Sequence, residues 1–524
     1  MRSARLARTM LARSTPVTFL VDHDSNVNKL VPDGCGLIRL NNSYGYQLDH
    51  ELDTTLQLLD ATKTVSAIGK SMPSLIVIDH PCLGATWETA VKTQTECPII
   101  AFDDTPRNHS CHIVVNYKIC PRKIMLQAYR KKIDDSASLL LGPDYFLIDP
   151  PKDSSSKKSS AVGILMSFGG GGDMRQLALL VKAVIENVTV AKRKIADCRI
   201  YVVMGPTAYN CEALHEMKEY SQNLVLVEGL TSLSDLWGKV DLFVGAQGTT
   251  IFEALAHKVP CLGFSIAKNQ ENDISDLEEF GHYFYLGYFG NLNLTRFARL
   301  IEVCCHSLER LRGLVETRSR SLDGTGAARV MDAITAIVRD SYCPVSVSGS
   351  SRCHLEKAEG MVISSVGDIY INKYLEARNL DSNRSLMTIT QEISSLDHYL
   401  WWLTQFDREN FVVTNDREEK VFIWHRFVDG IVPCLVGGWF LTECGRFFDA
   451  IWALKAQLEM CDLRYPGVPW LAVINRENKA TIKLNSNLGF KEIDFDHALA
   501  DLAVKLFPFA SPRDFLIFVR YKDF

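Results

Sequence analysis

The 524-residue sequence has no apolar run near the roughly 20 residues needed to cross a bilayer. Its longest candidate, "IVPCLVGGWFL" (431–441), carries a proline and a glycine pair, so no membrane insertion is expected. Strong charge of one sign is also missing: the net charge of -5 leaves no electrostatic footprint for nucleic acid or an anionic membrane surface. No C-x-x-C pair occurs, and the cysteines number an odd 15. Cys82, Cys198 and Cys261 stand among apolar residues. Buried reduced thiols therefore explain them better than a disulfide or zinc framework, and no metal is expected. What is present is ordinary for a soluble globular protein, 47% apolar and 23% charged residues, which argues against extensive disorder. Small-molecule partners and a cytoplasmic location follow as expectations. The start, "MRSARLARTMLARSTPVTFLVD", is Arg-rich and amphipathic like a mitochondrial transit peptide, but "PVTFLVD" follows at once as a strand, and the whole reads as helix then strand.

The length exceeds one hydrophobic core, and about three domains are expected. Short apolar runs alternate with amphipathic helical stretches through residue 340, the pattern of parallel sheets flanked by helices. The strand candidates are 16–22, 74–80, 98–104 and 110–116, then 161–168, 198–205, 223–229, 240–246 and 259–265. Between the groups lies the solvated linker "DPPKDSSSKKSS" (149–160). Two Rossmann-like halves, 1–150 and 161–340, would enclose a cleft of the kind that binds nucleotides. A second boundary falls in "SYCPVSVSGSSRCHLEKAEG" (341–360). Beyond it, "NFVVTN", "KVFIWHRF" and "VPCLVGGWFLTE" read as antiparallel strands, followed by the helix "RFFDAIWALKAQLEMC", the strand "PWLAVIN" and another helix, giving an α+β domain over 355–524.

Two glycine-rich junctions carry the first chemistry. "ILMSFGGGGDM" (164–174) is a strand entering four glycines with a helix starting near Met174 or Arg175, a turn whose backbone N–H groups can face a phosphate at a helix N-terminus. "GAQGTTIFEALAHKVP" (245–260) repeats that architecture: Gly245 and Gly248 allow close approach, and Thr249 and Thr250 supply hydroxyl and N–H groups in the first turn. Glu253, read on the exposed side of the helix, could accept both hydroxyls of a ribose. The same residues equally suit a plain cap, Thr249 or Thr250 capping the helix and Glu253 completing the interaction.

"GAQGTTIFEALAHKVPCLGFSIAKNQ" resembles the C-terminal nucleotide-binding half of GT-B enzymes, and among them the UDP-2,4-diacetamido-2,4,6-trideoxy-β-L-altropyranose hydrolases of pseudaminic acid biosynthesis. "DHPCLGATWE" (79–88), "IIAFDDTPRNHSCHIVVN" (99–116) and "LLLGPDYFLI" (139–148) agree in order, over roughly residues 1–340. The resemblance implies water displacing UDP without a metal, with UDP on Ser167, Phe168, Gly169, Gly170, the Gly245–Thr250 loop and Glu253, and Asn269 and Gln270 near the sugar or diphosphate. The sequence departs from that family in two places. An aromatic position reads Pro81 after Asp79 and His80, and the family's G-x-G-H-x-x-R loop, whose histidine activates water, would fall just before Met1. Either the reading frame begins at an internal Met or this half binds without hydrolysing. Of His23, His50, His80 and His109, His80 at a strand end is the candidate substitute base.

"VINRENKATIKLNSNLGFKEI" (473–493) and "LDHYLWWLTQF" (396–406) resemble the GNAT acetyltransferases. That resemblance implies acetyl-CoA as co-substrate and direct attack of an amine on the thioester. Pantetheine would lie on "GGWFLTE" (437–443), including Leu441, the pyrophosphate on the turn at Cys444, Gly445 and Arg446, with Asn478 opening the next helix. The turn departs from the family's small-residue pattern, and Asn485 replaces the tyrosine that often protonates the leaving thiolate. A GNAT-like domain without CoA also fits, whereas Cys444 as a nucleophile has little behind it. Together the resemblances imply a UDP-sugar hydrolase fused to an N-acetyltransferase acting on the UDP-amino sugar. The alternatives are a GT-B glycosyltransferase using a UDP-sugar, or a non-hydrolysing nucleotide-sugar-binding module attached to an acetyltransferase.

Overall fold

The computed structural model describes all residues except 1, 23–26, 29, 42–52, 70–71, 152–160, 170, 191–197, 206, 231, 268–269, 272, 339–359, 431, 495, 512 and 522–524. The expected linkers thus lie largely outside the described residues. The chain divides into two compact units, Met1–Val347 and Ser348–Phe524.

The first unit opens with helix α1 (Arg2–Ala12), as its sequence suggests, and a short parallel pair, β1 (Thr18–Asp22) and β2 (Gly36–Leu40). Helix α2 (Thr54–Ile68) leads to β3 (Ile76–Ile78), α3 (Ala85–Thr95), β4 (Ile99–Phe102), β5 (Ile113–Asn116), α4 (Arg122–Tyr129) and β6 (Ser138–Leu141). Strands β3 to β6 form a four-stranded parallel sheet in chain order. Its strands are apolar on both faces because both are covered. Ile99, Ala101 and Val114 pack with Trp87 and Val91 of α3 and Tyr129 of α4, while Ile100, Phe102 and Ile113 face Leu6 and Met10 of α1.

The second half of this unit contains β7 (Val162–Ser167), β8 (Gly171–Asp173), α5 (Arg175–Val190), β9 (Cys198–Met204), β10 (Thr207–Tyr209), α6 (Glu212–Tyr220), β11 (Leu224–Glu228), β12 (Leu242–Ala246), α7 (Thr249–Ala256), β13 (Cys261–Ser265) and β14 (Phe284–Tyr288). Six of these strands make a parallel sheet of order β11-β9-β7-β12-β13-β14. This is the doubly wound order 3-2-1-4-5-6, whose switch point lies between β7 and β12. The two sheets share one apolar core: Tyr117 and Phe146 meet Phe252 of α7, the last two rings 4.0 Å apart between centroids. The helix Gly326–Val338 returns to the first half, where Val330 and Ile334 join the core occupied by Leu6. The result is a GT-B-like pair of Rossmann-type domains.

The second unit is a seven-stranded α+β fold built from β15 (Met361–Ser365), β16 (Glu409–Asn415), β17 (Glu418–Val428), β18 (Cys434–Leu441), β19 (Trp470–Asn475), β20 (Lys491–Glu492) and β21 (Phe515–Arg520). Their order is β15-β16-β17-β18-β19-β21-β20. All neighbours are antiparallel except β18 and β19, which run parallel and pair only at Leu435↔Trp470 and Val436↔Leu471. Past Val436 the two strands part, and a cavity of about 730 Å³ opens beside Gly437, Gly438 and Trp439.

Candidate functional sites

At the switch point of the first unit, Ser167 and Gly245 are register partners at the C-terminal ends of β7 and β12. A Cβ on Gly245 would stand 2.2 Å from the Ser167 carbonyl oxygen, so the glycine is required by the sheet itself. Beyond it the chain enters α7 with Gly248 at the N-cap and no side-chain cap. The expected cap from Thr249 or Thr250 is therefore not made; Thr249 is exposed and Thr250 buried. The first-turn N–H groups, left without intrahelical partners, point out of the sheet where the dipole favours an anion. Gln270 lies at this mouth: its Nε2 would be 3.7 Å from a Cβ on Gly248, and its Oε1 accepts from Ile266 N–H at 3.0 Å. Gly170 and Asn269 lie outside the described residues.

The glycine run after β7 differs from its sequence reading. It does not enter the helix directly; Gly171–Asp173 forms β8, paired in parallel with β10. Gly169 and Gly172 have φ of +118° and +98°, the left-handed region that favours glycine. The Asp173 carboxylate accepts from Arg175 N–H at 3.0 Å, so α5 already carries an anion at its start. Ser167 is buried, its Oγ accepting from Gly169 N–H at 3.2 Å. Phe168 is a core residue against Phe264 and Phe289.

Glu253 also departs from expectation. It is buried rather than exposed, and one oxygen pairs with Arg5 of α1 while the other accepts from Trp237 Nε1 at 3.3 Å. Arg5 in turn donates to the Leu147 carbonyl at 2.7 Å. The reading as the completion of a cap fails for the same reason.

The ends of β3, β4 and β5 gather a second polar cluster at the start of α1. Arg2 donates to Asp79 at 2.8 Å and to the Tyr117 hydroxyl at 2.6 Å, and pairs with Asp104. Burial would raise the Asp79 carboxyl, but Arg2 and Ser3 hold it below the ordinary carboxylate value. Burial also pushes the Tyr117 phenol up to about 12.

His80 accepts from Cys82 N–H through Nδ1 at 3.1 Å, and burial lowers its pKa. The neutral ring that makes this contact carries its proton on Nε2, which then donates rather than accepts. His80 is thus poorly disposed as a base, a correction to its sequence reading. His109 is a structural cation: Nδ1 meets Glu88 at 2.6 Å, and Nε2 lies 3.2 Å from Asp103, off the line of a good hydrogen bond. Burial alone would lower its pKa, but the two carboxylates raise it to about 9. Burial would raise Asp103; the adjacent His109 imidazolium, the hydrogen bond from the Tyr129 hydroxyl at 2.7 Å and the charge of Arg107 outweigh it and hold Asp103 at about 2. Glu88, His109 and Cys111 are close enough to ligate a metal, but this pairing accounts for the two charged members. His23 and His50 lie outside the described residues.

In the second unit, Leu435 N–H bonds the Pro469 carbonyl at 2.8 Å on the β19 side. By alternation, Gly437, Trp439 and Leu441 aim their backbone groups the same way. Leu441 is already engaged: Asn383 donates to its carbonyl at 2.7 Å and accepts from its N–H at 3.3 Å. The strand positions facing the gap are therefore Gly437 and Trp439 rather than Leu441. At the following turn, Gly445 N–H bonds Thr442 O at 3.0 Å, and a Cβ on Gly445 would stand 2.0 Å from Lys420 O. The helix Phe447–Arg464 starts with Arg446 N–H bonded to the Asp449 carboxylate at 2.8 Å. An anion there would meet that carboxylate, which does not favour the turn as a pyrophosphate site.

Asn478 is the N-cap of the helix Lys479–Asn487, its Oδ1 accepting from Thr481 N–H at 3.1 Å, and it lines the cavity with Asn485. His398 donates through Nε2 to Ile371 O at 2.7 Å, and burial pushes its pKa down to about 4. Sequence reading missed Arg5, Asn383, Arg378 and Arg408. Only Arg408, between acidic and aromatic neighbours in "QFDRENF", had any local signal.

Among the described residues, no helix is long and apolar enough to cross a membrane. No protein-family model matches the chain. The chain is similar to the spore coat polysaccharide biosynthesis protein SpsG of Bacillus subtilis strain 168, 25% identical over 259 residues, which covers 48% of this chain and 72% of that protein. Among solved structures it is similar to MurG of Acinetobacter baumannii (12% identity, 64% of this chain and 95% of that one, TM-score 0.42). It is likewise similar to the S. aureus MnaA-UDP co-structure (12% identity, 64% and 93%, TM-score 0.42).

Proposed function

We propose that the first unit binds a UDP-sugar with its diphosphate at the start of α7, and that the second transfers an acetyl group from acetyl-CoA to the amine of a UDP-amino sugar. One observation carries the first half: an uncapped helix N-terminus at the switch point of a doubly wound sheet, between Gly245, Gly248 and Gln270. The reaction is displacement at the anomeric carbon: water adds and gives up a proton to solvent, the bond to the UDP oxygen breaks, and the leaving diphosphate is held by the α7 N–H groups together with Thr249 and Thr250. The substrate is the diacetamido-trideoxy sugar nucleotide implied by the sequence resemblance, and similarity to a polysaccharide biosynthesis protein agrees with that class.

The second unit supports acyl transfer through the parting of β18 from β19, which leaves Gly437 and Trp439 backbone groups facing a cavity large enough for a pantetheine arm. The amine attacks the thioester carbonyl, the C–S bond breaks, and the proton lost by the amine passes through water to the leaving thiolate, since Asn485 bonds Thr481 O at 2.9 Å and holds no titratable proton.

A second reading, a UDP-sugar-binding module that does not hydrolyse, is favoured by the state of His80 and His109, neither of which offers a lone pair to water. Incubation with the UDP-4-amino sugar and acetyl-CoA, read by mass spectrometry, tests both units. Free UDP and a diacetamido sugar are expected; tight UDP binding without release leaves the binding module. Turnover that rises with an added acceptor sugar points to a glycosyltransferase.

A further inference from the structure

The cavity of the second unit holds two guanidinium groups that form no ion pair with a carboxylate among the described residues. Arg408 stacks on Trp424, its Cζ 3.6 Å from the ring centroid, and lies 5.2 Å from that of Trp401. Its chain neighbour Asp407 pairs with Arg426 instead, at 2.9 Å. Arg378 donates through Nη2 to the Ile389 carbonyl at 2.6 Å, while its Nη1 is buried with no acceptor among the described residues. Both lie near the buried hydroxyl of Tyr374, and both line the cavity. Arg378 also feels the like charge of Arg384, and burial pushes both Arg378 and Arg408 below the ordinary guanidinium value.

Two desolvated cations that face one tyrosine hydroxyl in the same cavity, one with an unsatisfied donor, are unfavourable until an anion joins them. An aromatic wall behind a planar fork is the arrangement that receives an oxyanion by paired hydrogen bonds. We infer that Arg378 and Arg408 form an oxyanion subsite in this cavity, which holds the negatively charged group of the amine acceptor while its amine faces the gap between β18 and β19. The acceptor is thereby restricted to amines that carry a phosphate ester or a carboxylate. Its role in acyl transfer rests on the reading of this unit proposed above; the anion subsite itself does not.

Two measurements on the full chain separate these levels. Isothermal titration with inorganic pyrophosphate and with malonate, without an acyl donor, reads the subsite directly. Arg408→Gln and Arg378→Gln are each expected to remove one binding site per chain, leaving any site in the first unit intact. An unchanged site number in both variants overturns the subsite, whether or not acyl transfer is ever seen. Circular dichroism melts confirm folding, and Arg408→Lys, which keeps charge but loses the fork, is expected to weaken binding without abolishing it.

Thiol release from acetyl-CoA, with a UDP-amino sugar in one arm and an α-amino acid in the other, then reads the acceptor role. For the true acceptor class, the glutamine variants are expected to raise KM for the amine roughly 10- to 100-fold. KM for acetyl-CoA should stay near that of the wild type. A KM for acetyl-CoA that rises equally, or an amine KM that stays put in both arms, overturns the acceptor role. If the wild type releases no thiol in either arm, the acyl-transfer reading fails, while the titration still decides the subsite.

Discussion

Glu253 shows how a residue's partner can be invisible in its own neighbourhood. Helical spacing in "TTIFEALA" leaves it among small and apolar residues, and nothing within that stretch indicates that Arg5, 248 positions earlier, will reach it. The ion pair is buried on both sides, so removing one partner strands the other charge in a poorly solvated place. Glu253→Gln is expected to cost about 3–5 kcal/mol in the unfolding of the first unit, measured by urea titration. Arg5→Met in the same chain should recover much of that loss, because the stranded charge disappears. If Glu253→Gln instead leaves stability unchanged and weakens only UDP binding, the carboxylate serves the ribose and the Arg5 contact is incidental. His80 gives the complementary lesson. Its place at a strand end was legible from "LIVIDHP", but its tautomer is set by a backbone N–H two residues on, which residue type alone does not show.

At the scale of elements, the parallel strands were legible because burial on both faces writes them as continuous apolar runs bounded by turn residues. β2, β6 and β14 escaped that reading; β2 is mostly exposed and carries Arg39 next to its last residue. The loops were harder. Four consecutive glycines suggested one open turn, yet Gly171 packs so tightly on Thr207 that a Cβ would meet Oγ1 at 2.0 Å, which makes room for the β8–β10 pair. At the other junction the glycines read as room for a ligand, whereas the structure gives Gly245 a different reason in the Ser167 carbonyl of the neighbouring strand. Gly245→Ala must push β7 and β12 apart where both candidate loops begin. We expect it to destabilise the first unit by about 1–3 kcal/mol. UDP affinity should fall well beyond that of Gly248→Ala, whose Cβ would find its nearest neighbour at an ordinary 3.7 Å. Calorimetric titration of UDP into the two variants distinguishes them, and equal affinities would argue that the spacing of the loops does not matter to the ligand.

For the whole molecule, two units with separate cores predict two unfolding events that respond to different conditions. The pH dependence discriminates between them because His109 belongs to the first unit. Its pKa is about 9 folded, against an ordinary value near 6.5, so its stabilising contribution is fully present below about pH 6.5 and is lost as pH rises through about 9. Asp103 works in the opposite sense, its contribution disappearing only as pH falls towards about 2, outside this window. Scanning calorimetry at pH 6 and at pH 9.5 should therefore show one transition moving down, by an amount equivalent to roughly 2–3 kcal/mol. His109→Gln should lower that transition at pH 6 and flatten its dependence on pH. UDP at a hundred times its Kd should raise the same transition by about 2.7 kcal/mol, and acetyl-CoA should raise the other. A single transition that answers to both ligands would mean that the two units unfold as one, and a His109 variant that keeps the pH dependence would place the titrating group elsewhere.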